Sequence, residues 1–143
     1  MGLFYNGELV SIMTFSKLEG RKVLGENEWN LSRFCNKLGT NVVGGASKLL
    51  KNFIKEYSVS RIISYADNDW SDGNIYYKLN FNLINKTRPD YKWIVDGIRK
   101  HKQNYKKSKL KIVDDVTEAN HMNSLGYYKV WDCGKLKFEL KLI

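Results

Sequence analysis

Apolar and polar residues alternate most cleanly near the C-terminal end, where Leu136, Phe138, Leu140 and Leu142 interleave with Lys135, Lys137, Glu139 and Lys141. A period of two predicts a strand with its leucine and phenylalanine side turned inward and its charged side turned to solvent. With YYKVWD before it and Cys133-Gly134 between, the pattern reads as a terminal β-hairpin. A second hairpin is predicted over residues 3–15, LFYNGELVSIMTF, because Asn6-Gly7 is a favoured type I′ pair between two apolar runs. Residues 16–28 are polar and glycine-punctuated, which reads as a loop. Trp29–Cys35 reads as a third strand, with Trp29, Leu31, Arg33 and Cys35 on one side and Asn30, Ser32 and Phe34 on the other. Arg33 keeps the first side from being wholly core.

The period then changes. From Ala46 onward, Leu49, Leu50, Phe53, Ile54 and Tyr57 recur at helical spacing, directly after Gly44-Gly45. Arg61–Tyr65 is a short β-branched strand, and residues 73–79 form a short helix with Ser71 or Asp72 as its N-cap. Asn80 stands where a left-handed residue would end that helix. Phe81–Ile84 and Tyr91–Val95 are two further strands separated by a turn around Pro89, and Thr117–Leu125 is a helix closed by Gly126. The order is β-β-β-α-β-α-β-β, then a basic segment, then a helix and hairpin. That mixture reads as an α+β fold.

Composition changes this picture in one respect. At 143 residues and 43% apolar content, one globular domain with a real core is expected. No apolar run approaches the roughly 20 residues that span a bilayer, so no membrane partner is expected. Cys35 and Cys133 form no CxxC pair, which argues against a thiolate zinc site and suits a reducing cytoplasm. The net charge of +9, however, is concentrated. From Arg99 to Lys111 the chain reads RKHKQNYKKSKLK, seven cations (Arg99, Lys100, Lys102, Lys106, Lys107, Lys109 and Lys111) without an acid. Clustering of that kind is the footprint of a nucleic-acid partner, and DNA is the partner expected. The alternative is a solvated loop or another polyanion.

Two places carry candidate chemistry. Gly44-Gly45, flanked by Val43, Ala46 and Ser47, opens a helix whose backbone N–H groups and dipole suit an anion such as a pyrophosphate. Paired glycines also serve as a plain tight turn. Asp67 closes a strand in an open sheet, with Asp69 and Asp72 nearby and Tyr76 and Tyr77 on the following helix. Either the tyrosines pack and cover the core, or one phenol serves as a proton donor or oxygen ligand beside Asp67. His101 and His121 have no partner at metal-ligand spacing, so no metal can be assigned.

Taken together, VVGGASKLLKNFIK and SYAD…GNIYYKLNF resemble the core of the GNAT acyltransferase fold. The resemblance implies a mixed twisted sheet flanked by helices, acyl-CoA held at the glycine loop by Val43, Gly44, Gly45, Ala46 and Ser47, and catalysis by Asp67 and Tyr76. A longer set of pieces, GLFYNGELVSIMTF, LSRFCNKLGT, ISYADNDWSDGNIYYKLNF and VWDCGKLKFE, resembles the GNAT-like C-terminal domain of phage homing-endonuclease-type proteins over residues 2–140. It implies a DNA-associated domain in a phage-infected bacterial cytoplasm, with residues 1–98 as a core lacking the usual first strand and helices. Residues 99–143 then supply the basic segment, short helix and hairpin of the same domain. The nuclease domain and a preceding Glu-Asn-His-like segment of those relatives have no counterpart in this sequence, and a shortened chain is expected. DNA-modifying Mom-like proteins resemble it at SYAD and the following tyrosine. There, a histidine joins an aspartate and a tyrosine, matching Asp67 and Tyr76, around a metal. Asn80 replaces the glycine usual in the family, and both residues tolerate the left-handed conformation.

Overall fold

The computed structural model describes residues 1–19, 25–112 and 115–142, so residues 20–24 of the loop expected over 16–28 lie outside the described residues. The chain forms two compact units, one of Met1–Lys86 with Leu136–Ile143 and one of Thr87–Lys135. Its strands are β1 (Gly2–Tyr5), β2 (Glu8–Lys17), β3 (Glu28–Asn36), β4 (Arg61–Asp67), β5 (Asn82–Lys86), β6 (Tyr91–Val95), β7 (Ile98–His101), β8 (Tyr128–Trp131) and β9 (Lys135–Lys141). Its helices are α1 (Gly45–Glu56), α2 (Asn74–Lys78), α3 (Lys107–Leu110) and α4 (Glu118–Ser124).

In the first unit six strands form a mixed sheet in the order β1-β2-β3-β4-β9-β5. The β1–β2 turn is left-handed at both Asn6 (φ 49°) and Gly7 (φ 79°), as a type I′ turn requires. β2 and β3 run antiparallel, whereas β3 and β4 run parallel and are bridged by α1. The helical spacing buries Leu49, Leu50 and Phe53. Phe15 of β2 stacks on Phe53 at 3.6 Å between ring centroids, and Trp29 of β3 meets it edge-on at 5.1 Å. Each such buried side chain contributes about 1.5–3 kcal/mol. Met13, Leu31, Ile62, Ala66 and Phe138 complete this core from the strands.

Arg61 ties three strands together inside this unit. Its guanidinium donates to Glu28 of β3 at 2.8 Å and to Glu139 of β9 at 3.2 Å, with all three side chains no more than 13% exposed. Burial disfavours the Arg61 charge, but hydrogen bonds and charge from Glu28 and Glu139 outweigh it and raise its pKa. Glu139, which alternation places toward solvent, is therefore drawn to a buried cation.

The second unit is a three-stranded antiparallel sheet, β7-β6-β8, covered on one face by α4. Trp93, Val95 and Met122 form its core. Asp96 (φ 51°) and Gly97 (φ 73°) make a tight β6–β7 turn. Thr117 Oγ1 accepts the Asn120 N–H at 3.1 Å to begin α4, and the Tyr127 N–H returns to the Met122 carbonyl past left-handed Gly126.

The expected terminal hairpin does not form. β8 pairs with β6, and β9 lies between β4 and β5 in the other sheet. The intervening residues redirect the chain instead of reversing it. Asp132 Oδ1 accepts the N–H groups of Asp90 (2.8 Å) and Gly134 (2.9 Å), and its Oδ2 faces Lys135 Nζ at 3.0 Å. Gly134 is left-handed (φ 76°) and lies so close to the Thr87 carbonyl that a Cβ would come within 2.4 Å of it.

Two outcomes test these clamps. Arg61→Ala takes the shared guanidinium away from two buried carboxylates, of which Glu139 keeps Lys141 at 3.7 Å, and should lower unfolding free energy by about 3 kcal/mol in urea denaturation. The hydrogen bond from the Asp90 N–H, followed by those from Gly134 and Lys135, holds the Asp132 carboxyl at about 2, below its usual 3.8. A depressed carboxylate stabilises the fold above its unfolded pKa, and this contribution fades as pH falls from about 4 toward 2. Asp132→Asn should therefore cost about 1–2 kcal/mol at pH 7 and only a small part of that near pH 2, a difference measured by denaturation at the two pH values.

Candidate functional site

The candidate site grows from the point where two parallel strands part. β3 and β4 pair through Glu28↔Arg61, Trp29↔Ile62 and Asn30↔Ile63. At the next step a side chain replaces the ladder, because Ser64 Oγ donates to the Leu31 carbonyl at 2.8 Å. The Tyr76 hydroxyl lies 2.9 Å from Ser64 Oγ and 3.3 Å from the Tyr65 carbonyl. Two hydroxyl protons serve these three contacts, so the phenol and serine form a small relay with one contact always lacking a proton. Tyr76 is held by its ring, stacked on Phe138 at 4.7 Å and edge-on to Phe81 at 5.7 Å.

A cavity of about 550 Å³ lies in this region, lined by Leu31, Arg33, Tyr65, Asp67, Trp70 and Tyr76 among others. Its rim is the loop between β4 and α2, and the polar cluster there shapes the loop. The Asp67 carbonyl accepts the N–H groups of Trp70 (3.0 Å) and Ser71 (2.9 Å), while Asp67 Oδ1 accepts the Asp69 N–H at 3.2 Å. Ser71 Oγ accepts the Gly73 N–H and Asp72 Oδ1 accepts the Asn74 N–H. The N-cap of α2 is Gly73 rather than the expected Ser71 or Asp72. Its φ of 78° and a Phe138 ring atom 2.5 Å from where a Cβ would sit demand glycine there. At the far end Asn80 is left-handed (φ 62°), with the Phe81 N–H on the Tyr76 carbonyl and the Asn80 N–H on the Tyr77 carbonyl. This is the expected helix stop, and it fixes Tyr76 in the short helix before it.

The glycine loop follows the open end of β3. Ser11 Oγ donates to Asn36 Oδ1 at 2.8 Å and the Lys37 N–H to the Val10 carbonyl at 2.8 Å, anchoring the departing chain. Gly44 is the N-cap of α1 at φ 71°, with no side-chain cap and no acid in the first turn. A Cβ on Gly44 would meet nothing within 4 Å, so backbone conformation and not crowding calls for glycine. Gly45 is buried, with Val42 2.9 Å from where a Cβ would sit, whereas Val43 is 91% exposed beside it. Ala46 and Ser47 occupy the first turn. Lys48, at the end of that turn, lines a groove of about 410 Å³ with Lys51, Lys55, Gly2 and Leu3, a basic row that the sequence reading missed.

Of the predicted residues, Asp67 and Tyr76 share one cavity. Val43, Gly44, Gly45, Ala46 and Ser47 stand at the N-terminal end of α1 in the same unit. The seven cations fall in the second unit, and they are not equivalent. Lys102 is paired with Asp90, whose hydrogen bond raises the Lys102 pKa. Lys100 is partly buried opposite Trp93. Arg99, Lys106, Lys107, Lys109 and Lys111 are exposed. Among the described residues, no group of three or more His, Cys, Asp or Glu side chains could hold a metal ion. No described helix is long and apolar enough to cross a membrane. Ser64, Arg33 and Trp70 were missed. Ser64 had one signal, a small hydroxyl between the apolar Ile62-Ile63 pair and Ala66.

No protein-family model matches the chain, and no curated protein sequence matches it. A crystal structure of a Bacillus subtilis acetyltransferase in complex with CoA is similar over 98% of this chain and 74% of its own, with a TM-score of 0.55 and 11% identity. The chain therefore has a GNAT-like fold, a mixed α+β architecture with a twisted mixed sheet.

Gly73→Ala tests how the site is held. It forces a Cβ into the Phe138 ring that supports Tyr76 and strains a left-handed residue, which should cost about 2–4 kcal/mol. Gly44→Ala, strained but not crowded, should cost about 1–2 kcal/mol. Thermal or urea unfolding of the two variants gives the comparison.

Proposed function

We propose that the protein transfers an acyl group from a CoA thioester to a nucleophilic acceptor. The observation that carries this reading is the parting of β3 from β4 with the Tyr76–Ser64 hydroxyl pair at its base. Strand edges that separate in this way suit an extended, amide-bearing chain such as pantetheine. Val43, Gly44, Gly45, Ala46 and Ser47 would hold the pyrophosphate, because the first turn of α1 offers N–H groups and the positive end of the dipole without a competing acid. Lys48, on the same turn, adds positive charge.

Acyl transfer breaks a thioester C–S bond and forms a C–N or C–O bond. The acceptor must lose a proton, which the Asp67 carboxylate at the cavity rim can take directly or through water. The departing sulfur must gain one, which the Tyr76 phenol can supply, and the Ser64 hydroxyl 2.9 Å away then turns its proton from the Leu31 carbonyl to stabilise the phenolate. A second reading takes a DNA base as the acceptor, in the manner of the Mom-like proteins and within a phage protein of homing-endonuclease type. It is favoured by Trp70, 88% exposed on the same cavity, which offers a flat stacking surface beside Asp67.

Isothermal titration tests the donor. CoA should bind at or below about millimolar concentration, and Gly44→Asp, which brings a negative charge to the pyrophosphate, should abolish binding. Tyr76→Phe should keep CoA affinity while lowering the transfer rate to an amine or nucleoside acceptor by roughly 10²-fold. Absence of CoA binding by the wild-type protein would remove the reading.

A further inference from the structure

The residues proposed above for acyl transfer all belong to the first unit. Yet the second unit holds eleven Lys or Arg against six Asp or Glu, more than half of the chain's +9 excess in 49 residues. Strand register sorts these cations by face, because residues directly opposed across antiparallel strands lie on the same side of a sheet. Trp93 is opposed by Lys100 and Lys129, and Val95 by Ile98. This is the face that Met122 of α4 covers. On the other face, Ile94 is opposed by Arg99 and Tyr128, and Lys92 by His101 and Val130. Arg99, His101, Lys92 and Tyr128 are all exposed, Tyr128 at 58%.

Around the buried Ile94, two rows across three strands thus present two exposed cations, an imidazole and a phenol ring, with no acid among them. The chain leaving β7 continues through exposed Lys106, Lys109 and Lys111. The cations available are fewer than a count suggests. Lys102 is held by Asp90, and Lys129 lies 4.3 Å from the Tyr91 ring centroid and 5.1 Å from that of Trp93 on the covered face.

We infer that the sheet face bearing Lys92, Arg99, His101 and Tyr128 binds single-stranded nucleic acid. Phosphates answer the cations, and an exposed ring set between them offers a base a sequence-tolerant stacking surface. A duplex keeps its base faces stacked and presents base edges in grooves that a helix or two-stranded ribbon must enter. A flat sheet face with a ring standing on it suits unpaired bases. This surface is independent of the acyl-transfer reading.

Fluorescence polarisation of the full chain with a labelled oligodeoxythymidylate of about 16 nucleotides, and with a duplex of equal length, tests the inference. At about 50 mM salt the single strand should bind more tightly than the duplex, with affinity falling steeply toward about 200 mM. Tyr128→Leu should weaken single-strand binding about tenfold, while Tyr128→Phe, which keeps the ring, should bind as wild type. Joint Lys92→Gln and Arg99→Gln changes should reduce the slope of log K against log salt by up to about 1.4, whereas Lys102→Gln should change it little. No binding at low salt overturns the inference. So does equal affinity for the two forms, a Tyr128→Leu variant that binds as wild type, or a Tyr128→Phe variant that binds as poorly as the leucine one.

Discussion

The first unit depends on a parallel pairing that is made to stop. A purely hydrophobic pair of adjacent strands has no reason to part after three residues, since each further rung adds hydrogen bonds and apolar contact. Here the pairing is fastened at one end and interrupted at the other. Arg61, opposite Glu28 in register, binds Glu28 and Glu139 and so locks β3, β4 and β9 where the pairing begins. Ser64 then spends its hydroxyl on the Leu31 carbonyl, and the Tyr76 phenol stands beside it. The buried ion triad is costly to desolvate and is weak evidence of net stability. Its value lies in position, because it fixes where the two strands stay together and hence where they separate.

The rim of the cavity shows the same economy. Asp67 shapes its own turn through both carbonyl and carboxylate, and Ser71 and Asp72 hold the two N–H groups that follow. Asp67 and Asp72 are therefore first acceptors within the turn. Structure and chemistry do not compete here. A carboxylate that is held by its own loop arrives at the cavity in a fixed direction, as a proton acceptor requires.

Local signals were legible wherever one residue type serves one backbone conformation. Asn6-Gly7, Asn80 and Gly126 mark their turns and helix stops, and the Leu49–Phe53 spacing marks α1. The triad was not legible, because Glu28 sits in a polar stretch, Arg61 in an apolar one and Glu139 on an alternating strand. Only the three-strand register brings them together. The terminal hairpin was misread for a related reason. Two strands separated by Asp132-Cys133-Gly134 look like one hairpin until Asp132 is seen to bond across to Asp90, 42 positions away. Alternation fixes a strand's faces but not its neighbour. Asp67 and Tyr76 were found together because only eight residues separate them and Tyr76 lies on the short helix that follows, whereas Ser64 gained its meaning only from the carbonyl of a different strand.

Net charge has the same limitation. A sequence counts ionised groups, but a partner meets only those whose charge is not already answered within the fold. Lys37 is paired with Glu8, Lys102 with Asp90 and Lys135 with Asp132, and Lys129 rests over two rings. Such exposed pairs contribute little to stability. Their effect is to remove cations from some parts of the surface and leave others uncompensated. In the run from Arg99 to Lys111, strand pairing turns Arg99 and Lys100 to opposite faces, so a contiguous basic segment in sequence is not a contiguous basic surface. The face that remains is set by the β6–β7 register, in which Arg99 opposes Ile94 and His101 opposes Lys92. A shift of that register by one residue would bring Lys100 to this face and turn Arg99 and His101 onto the Trp93 core.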